Sequence, residues 1–246
     1  MRVTDKYLVF GHYGYQHKIV IARFHSQDGV DIMSLKAYLK SFPEVEILRK
    51  RVSREYEITK ILRENPTKPV LFENLDGYRA IGNLWGTRER IAKGLGCAKE
   101  EITQRTLEAM KNPLPPRVVE DSPFFRNSLK DFDLRESPIP KWFPEDGGHY
   151  ITSGIVVAEL GGKRNMSFHR CMVLGENTLV ARVVPRHLYR MNKEAMERGE
   201  ELKIAIMIGV CPHLLISAGM SVDYEKDELE IASALRKITL DEEWML

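Results

Sequence analysis

Val70-Leu71-Phe72-Glu73-Asn74-Leu75-Asp76-Gly77-Tyr78 is the stretch on which the reading of this 246-residue chain turns. Pro69 to Glu73 is an apolar run of the length of a short buried strand, and Asp76-Gly77 is a turn pair that closes it. Upstream, Tyr56, Ile58, Ile61 and Leu62 predict a helix that stops near Asn65-Pro66, where proline cannot continue it. Before that, Val45 to Leu48 alternates as a strand, and Ser34 is placed to cap a helix carrying Leu35, Tyr38 and Leu39 on one face. Downstream, Thr87 is a cap for a helix through Ile91 and Leu95 with Gly94 and Gly96 near its end, and a further helix is expected over Lys99 to Met110. Strands alternating with helices make this half α/β.

The second half is written differently. Asn112-Pro113-Leu114-Pro115-Pro116, with Pro123, Pro138, Pro140 and Pro144, removes donors and fixes φ, which marks an irregular boundary. Strands are then expected over Tyr150 to Leu160, Met166 to Leu174 and Thr178 to Val184, with turns at Gly161-Gly162 and Gly175-Glu176-Asn177. A helix around Tyr189 to Arg198, a strand from Lys203 to Val210, a helix with Pro212 at its first position and a last helix over about Lys226 to Arg236 complete the pattern. Tyr7 to Phe10 and Ile19 to Ala22 read as two strands joined by a turn through Gly11 and Gly14. The resulting division is residues 1–32 unassigned, 33–112 an α/β domain, 113–145 a proline-rich linker and 146–246 a β-rich domain of barrel-like type.

Composition excludes several classes. Lys plus Arg (37) nearly balances Asp plus Glu (35), so the charge gives no reason to expect nucleic acid or an anionic membrane as partner. The longest apolar run, Ile204 to Val210, is far short of a bilayer span, and no secretory leader is visible at the N-terminus. Three scattered cysteines without a CxxC pair fit a reducing, cytoplasmic setting and argue against a disulfide framework or a cysteine zinc site. Short motifs add little: there is no GxxxxGK[ST], HExxH or GxSxG. Gly161-Gly162 reads as a hairpin turn rather than a phosphate cradle, His25 and His213 as surface or satisfied core residues, and Asp241-Glu242-Glu243 as a solvated acidic tail.

Longer stretches resemble the UbiD-type decarboxylases, enzymes that use prenylated flavin mononucleotide. They are Ser34 to Leu39; Val70 to Tyr78 continuing to Gly82-Asn83-Leu84-Trp85-Gly86-Thr87-Arg88-Glu89-Arg90; Gly147 to Gly154 followed by Arg164 to Val173; and Asp227 to Arg236. The second is the longest and most specific, and together they extend over about residues 33 to 237. The resemblance implies an α+β chain, an N-terminal α/β domain followed by a split β-barrel flavin-binding domain, truncated before the family's C-terminal domain. It implies non-oxidative, reversible decarboxylation of an aromatic or α,β-unsaturated carboxylic acid. The wording of Ser167 to Arg170 and Arg182 to His187 is most similar to archaeal members, some of which act on a phosphorylated isoprenoid-pathway acid of the anhydromevalonate phosphate type.

By the same resemblance, Asn165, His187 and Glu228 match ligands of a divalent metal, usually Mn²⁺, with or without K⁺ beside it. An amide oxygen, an imidazole and a carboxylate make a sensible mixed site for that ion, and separations of 22 and 41 residues would never reveal it. Arg170 matches the active-site arginine, whose planar donors suit a substrate carboxylate. Thr152, Ser153, Ser167, Phe168, His169, Arg186, Ala218, Gly219 and Met220 match positions that line the flavin, although Met220 could equally be packing filler. The family's two catalytic glutamates have no counterpart, and residues 1–32 match nothing clearly. The expectation is therefore the N-terminal portion of a longer enzyme, or a split product inactive alone that a second polypeptide completes. A flavin prenyltransferase as cofactor supplier and a homo-oligomeric state are also implied. A subunit that binds flavin or metal without turnover is the non-enzyme alternative.

Overall fold

The structure is a computed structural model that describes residues 2–4, 7–10, 21–22, 44–119, 132–235 and 239–241. The Ser34-capped helix lies outside the described residues, as does the stretch around Pro123. Three short strands come first: β1 (Arg2–Thr4), β2 (Tyr7–Phe10) and β3 (Ile21–Ala22). Strand is found at Tyr7–Phe10 and at Ile21–Ala22, and among the described residues these two do not pair with each other; β2 pairs with β1, and both β2 and β3 pair with strands of the C-terminal half.

The α/β unit follows the sequence pattern closely. β4 (Glu46–Val52) runs parallel to β5 (Val70–Leu75), with helix α1 (Glu57–Glu64) between them, and β5 turns back into β6 (Tyr78–Gly82). Asp76 and Gly77 both take positive φ (47° and 92°), the tight hairpin turn whose twist matches the flanking strands. Val70, Phe72 and Leu75 are buried with Val52 and Ile58. Helix α2 (Arg88–Leu95) is capped by Thr87, whose hydroxyl accepts from the Arg90 N–H, and ends on left-handed Gly96; helix α3 (Ile102–Lys111) follows.

Within the run from Gly82 to Arg90, Arg90 and Trp85 make contacts that hold the scaffold together. Arg90 is buried, and its guanidinium donates to the carbonyls of Leu84 (2.8 Å), Asn83 (3.3 Å) and Thr67. These bonds tie the entry of α2 to the loop before β5. Trp85 Nε1 donates to the Val210 carbonyl (3.2 Å), joining this unit to the C-terminal half.

That half contains β7 (Arg117–Val119), β8 (Tyr150–Ile151), β9 (Ile155–Leu160), β10 (Lys163–Phe168), β11 (Cys171–Gly175) and β12 (Thr178–Arg182). Helix α4 (His187–Glu197), β13 (Lys203–Met207), helices α5 (Pro212–Ala218) and α6 (Glu228–Leu235), and β14 (Thr239–Asp241) complete it. One sheet has the order β1-β2-β12-β11-β8 and another the order β10-β9-β13-β3, while β7 and β14 pair in parallel. β9 is buried on both faces, and its side chains alternate between two clusters. Val156, Ala158 and Leu160 meet Ile151, Cys171, Leu179 and Ala181 of the five-stranded sheet. Ile155 and Val157 join Met166 and Met207 beneath Leu214, Leu229 and Ala232 of α5 and α6.

Two expected strands are corrected by this layering. Tyr150 to Leu160 is two strands in different sheets, broken at residues 152–154, and Met166 to Leu174 is two strands broken at His169-Arg170. At each break the chain leaves one sheet for the other. Gly154 allows the first bend, because a methyl there would lie 2.7 Å from Ile151 Cγ2. No barrel closes among the described residues; the architecture is mixed helices and facing open sheets.

Candidate functional site

The two sheet crossings lie side by side: the His169 N–H donates to the Gly154 carbonyl at 3.4 Å. Most of the expected flavin-lining residues fall on or beside these crossings. Thr152 and Ser153 are exposed on the first; Phe168 is half-exposed, His169 buried and Arg170 exposed on the second. Gly219, just after α5, joins them, since a methyl on it would lie 3.8 Å from the Phe168 ring. Its φ of −88° is open to any residue, so the backbone itself does not demand glycine there. Ala218 and Met220 point into apolar clusters, Met220 against the group formed by Ala109, Ile231 and Leu235.

Glu228 is the centre of the polar cluster. Asp227 precedes it and accepts the Leu229 N–H at 2.8 Å, capping α6 and seating Glu228 as its first residue. Arg164 of β10 holds Asp227 through Nε (2.7 Å) and Nη2 (2.6 Å), which docks the helix end on the strand. Among the described residues β10 is an edge strand, so one row of its N–H groups has no strand partner there. The Glu228 carboxylate takes one of them, accepting from the Met166 N–H (2.9 Å), and also accepts from Asn165 Nδ2 (3.0 Å). His187, the first residue of α4, places Nδ1 4.0 Å from Glu228 Oε1, and its ring stands edge-on to Tyr224 at 5.4 Å.

Thus Asn165, His187 and Glu228, from a strand and two helices, converge. The polar chain continues away from Glu228. Asn165 Oδ1 accepts from Ser167 Oγ (3.0 Å), and Ser167 Oγ lies 3.0 Å from His169 Nε2. Glu228 is 2% exposed, and burial pushes its carboxyl up to about 7, with the neighbouring Asp227 charge adding to that and the Met166 and Asn165 donors opposing it. Among the described residues, its one ion-pair contact is the distant His187. A buried carboxylate so weakly compensated is a fit for a cation. The Asn165 amide stands beside this carboxylate, its Nδ2 3.0 Å from Glu228 Oε1.

Arg170 stands apart from this cluster in its contacts. Its guanidinium lies over the Tyr150 ring, 4.9 Å from the centroid, and Tyr150 is pinned by Pro140 O on its N–H and Trp142 Nε1 on its carbonyl. Arg186 is exposed just before α4. Sequence reading missed Tyr150 and Tyr224. The latter donates to Glu194 Oε2 (3.1 Å) while Arg190 stacks on its ring at 3.9 Å, and only the Arg190–Glu194 spacing hinted at any of this.

Comparison with known proteins adds the family level. The model of the 3-octaprenyl-4-hydroxybenzoate carboxy-lyase N-terminal domain matches residues 37–110, and that of the Rift-related domain of the same carboxy-lyase, UbiD, matches residues 117–241. Anhydromevalonate phosphate decarboxylase of Methanothermobacter thermautotrophicus is 41% identical over 202 residues, which is 80% of this chain and 47% of that protein. Phenolic acid decarboxylase of a Streptomyces species is 30% identical over 182 residues, 67% of this chain and 38% of the relative. The UbiD-class enzyme HmfF from Pelotomaculum thermopropionicum, solved in complex with FMN, superposes with a TM-score of 0.78 at 32% identity, covering 84% of this chain and 48% of that one. An evolved dimeric form of HmfF in complex with prFMN gives 0.77 at 31%, over 84% and 51%. The chain spans about half the length of the relatives it matches.

Proposed function

Because the chain belongs to the UbiD family of carboxy-lyases, we propose that it serves non-oxidative decarboxylation of an α,β-unsaturated carboxylic acid with prenylated FMN and a divalent metal. The observation that carries this reading is the convergence of Asn165, His187 and Glu228, the last a buried carboxylate whose ion-pair contact among the described residues is His187 at 4.0 Å. Those three residues would hold the cation. Thr152, Ser153, Ser167, Phe168, His169, Arg186 and Gly219 would line the flavin at the sheet crossings, with Ala218 and Met220 behind. The facing sheets are read as the halves of a split β-barrel. A phosphorylated isoprenoid acid is the favoured substrate over an aromatic one, supported by the higher identity to the anhydromevalonate phosphate decarboxylases.

When bound, the prenylated flavin supplies the electrophilic centre that accepts the charge left by departing carbon dioxide. The protein's part begins with Arg170. Its always-protonated guanidinium, held over the Tyr150 ring, presents a planar fork of donors to a carboxylate. Arg170 cannot readily give up a proton, and Glu228 is committed to Asn165 and Met166, so the proton that replaces carbon dioxide is left to a group outside this cluster. On this reading a flavin prenyltransferase supplies the cofactor, the protein is cytoplasmic and homo-oligomeric, and a second polypeptide could complete the site.

Replacing Arg170 with Lys tests the assignment. A point charge cannot reproduce the bidentate, stacked geometry, so affinity for the acid should fall on the order of 10-fold or more while retention of flavin and Mn²⁺ stays unchanged. Titrating the flavin-loaded protein with the acid, followed by its visible spectrum, measures this. Unchanged acid affinity would remove Arg170 from the site. With prenylated FMN and Mn²⁺ supplied, carbon dioxide release from a phosphorylated unsaturated acid supports the substrate class. Release from hydroxybenzoates alone would overturn it.

A further inference from the structure

Four side chains form one line of hydrogen bonds, and the line has a direction. Asn165 Nδ2 donates to Glu228 Oε1 at 3.0 Å, and Ser167 Oγ donates to Asn165 Oδ1 at 3.0 Å. Ser167 has a single hydroxyl proton, already given to Asn165. His169 Nε2, 3.0 Å from the same oxygen, must therefore be the donor at the last link. Every proton points towards the Glu228 carboxylate. His169 is buried, which favours the neutral ring, and a neutral ring with its proton on Nε2 leaves the Arg182 backbone beside it unserved.

A cation shared by Asn165 and Glu228 is incompatible with this direction. An amide binds a metal through its oxygen, and here Nδ2 is the atom turned to Glu228. Resting on the metal reading above, we infer that cation binding turns the Asn165 amide over and reverses the whole line, so that Ser167 becomes the donor to His169 Nε2 and the imidazole proton moves to Nδ1. After the turn, Nδ2 donates to Ser167 Oγ, and the hydroxyl, keeping its proton, donates a hydrogen bond to the bare Nε2. The ring gives its Nε2 proton to solvent and takes one from solvent on Nδ1, so no net proton is gained or lost. On Nδ1 it can serve the Arg182 backbone, so the cation-bound line satisfies every group that the present line leaves in competition.

The consequence is a wire of three short side chains between the cation and the sheet crossing. His169 sits between Phe168 and Arg170, so the crossing senses whether the cation is in place through a change of donor to acceptor rather than a movement of backbone. Ser167 is the positioning residue in this device. A threonine at that position keeps the hydroxyl, whereas alanine cuts the line.

The test uses the full chain with saturating FMN and ¹⁵N-labelled histidine, titrated with Mg²⁺ for nitrogen chemical shifts and with Mn²⁺ for affinity by electron paramagnetic resonance. The His169 resonances, assigned by their loss in His169→Gln, should show the proton on Nε2 without metal and on Nδ1 with it. Ser167→Ala should abolish that exchange and weaken Mn²⁺ roughly 10-fold, the scale of losing a hydrogen bond that orients a ligand. Ser167→Thr should restore both, with circular dichroism confirming the fold of each variant. Tight Mn²⁺ binding with an unmoved His169 proton, or Ser167→Ala binding Mn²⁺ like the wild type, would overturn the relay while leaving the metal site standing. Absence of any metal binding by the wild type would overturn the metal reading, and the relay with it.

Discussion

Glu228→Gln is expected to weaken Mn²⁺ binding by about 100-fold or more, and to make flavin retention independent of metal. Loss of hydrogen bonds that merely support a ligand already costs about 10–100-fold, and here the anionic ligand itself is removed. Unfolding should not confuse the result. The neutral isostere removes a buried charge that burial disfavours, keeps an oxygen for the Met166 N–H, and leaves Asn165 free to turn its amide towards the new group. Calorimetric titration with Mn²⁺, beside a thermal melt of the same variant, separates the two effects. Wild-type affinity in a folded Glu228→Gln protein would remove Glu228 from the metal centre.

The second large effect is in stability. Arg90→Met should cost about 2–3 kcal/mol, since the buried Leu84 carbonyl loses a charged donor and an unmet buried carbonyl costs about 1–3 kcal/mol, whereas the Asn83 carbonyl keeps the Gly86 N–H and Thr67 is exposed. The methionine fills the space of the stem but offers no N–H. Urea unfolding gives the loss, and Mn²⁺ affinity of the variant that remains folded should match the wild type. A variant of full stability with impaired metal or flavin binding would show that the Gly82 to Arg90 signature serves the site directly rather than the scaffold.

That signature illustrates what was legible and why. Runs with strong local chemistry were readable: Asp76-Gly77 needed positive φ at both residues, Thr87 offered a capping hydroxyl, and Pro212 suited the first turn of a helix. Such features depend on a few neighbouring residues. The two breaks at residues 152–154 and 169–170 were not readable, because the flanking residues remain apolar and β-prone when a chain passes from one sheet to the next. Only length gave a warning: an eleven-residue run from Tyr150 to Leu160 is about twice an ordinary strand. The first strands were visible as strands, but their pairing with β12 and β13 depends on residues some 170 to 185 positions away, on which local pattern is silent.

The site divides along the same line. Periodicity and spacing could not bring Asn165, His187 and Glu228 together; resemblance named them, and the docking of α4 and α6 against β10 juxtaposes them. The partners that hold these residues were invisible in sequence. Arg164 clamps the residue before Glu228, Tyr224 braces His187, and Tyr150 carries Arg170, each across tens of residues or more than one element.

The metal centre is tested most directly by locating the ion. Crystals of the protein grown with Mn²⁺ and FMN, with diffraction data collected on both sides of the manganese absorption edge, should show one anomalous peak. It should lie within about 2.0–2.3 Å of Asn165 Oδ1, a ring nitrogen of His187 and a carboxylate oxygen of Glu228, the range of oxygen and nitrogen ligands to such ions. A peak bound elsewhere, or Asn165 Nδ2 still donating to Glu228 in crystals that hold manganese, would contradict it.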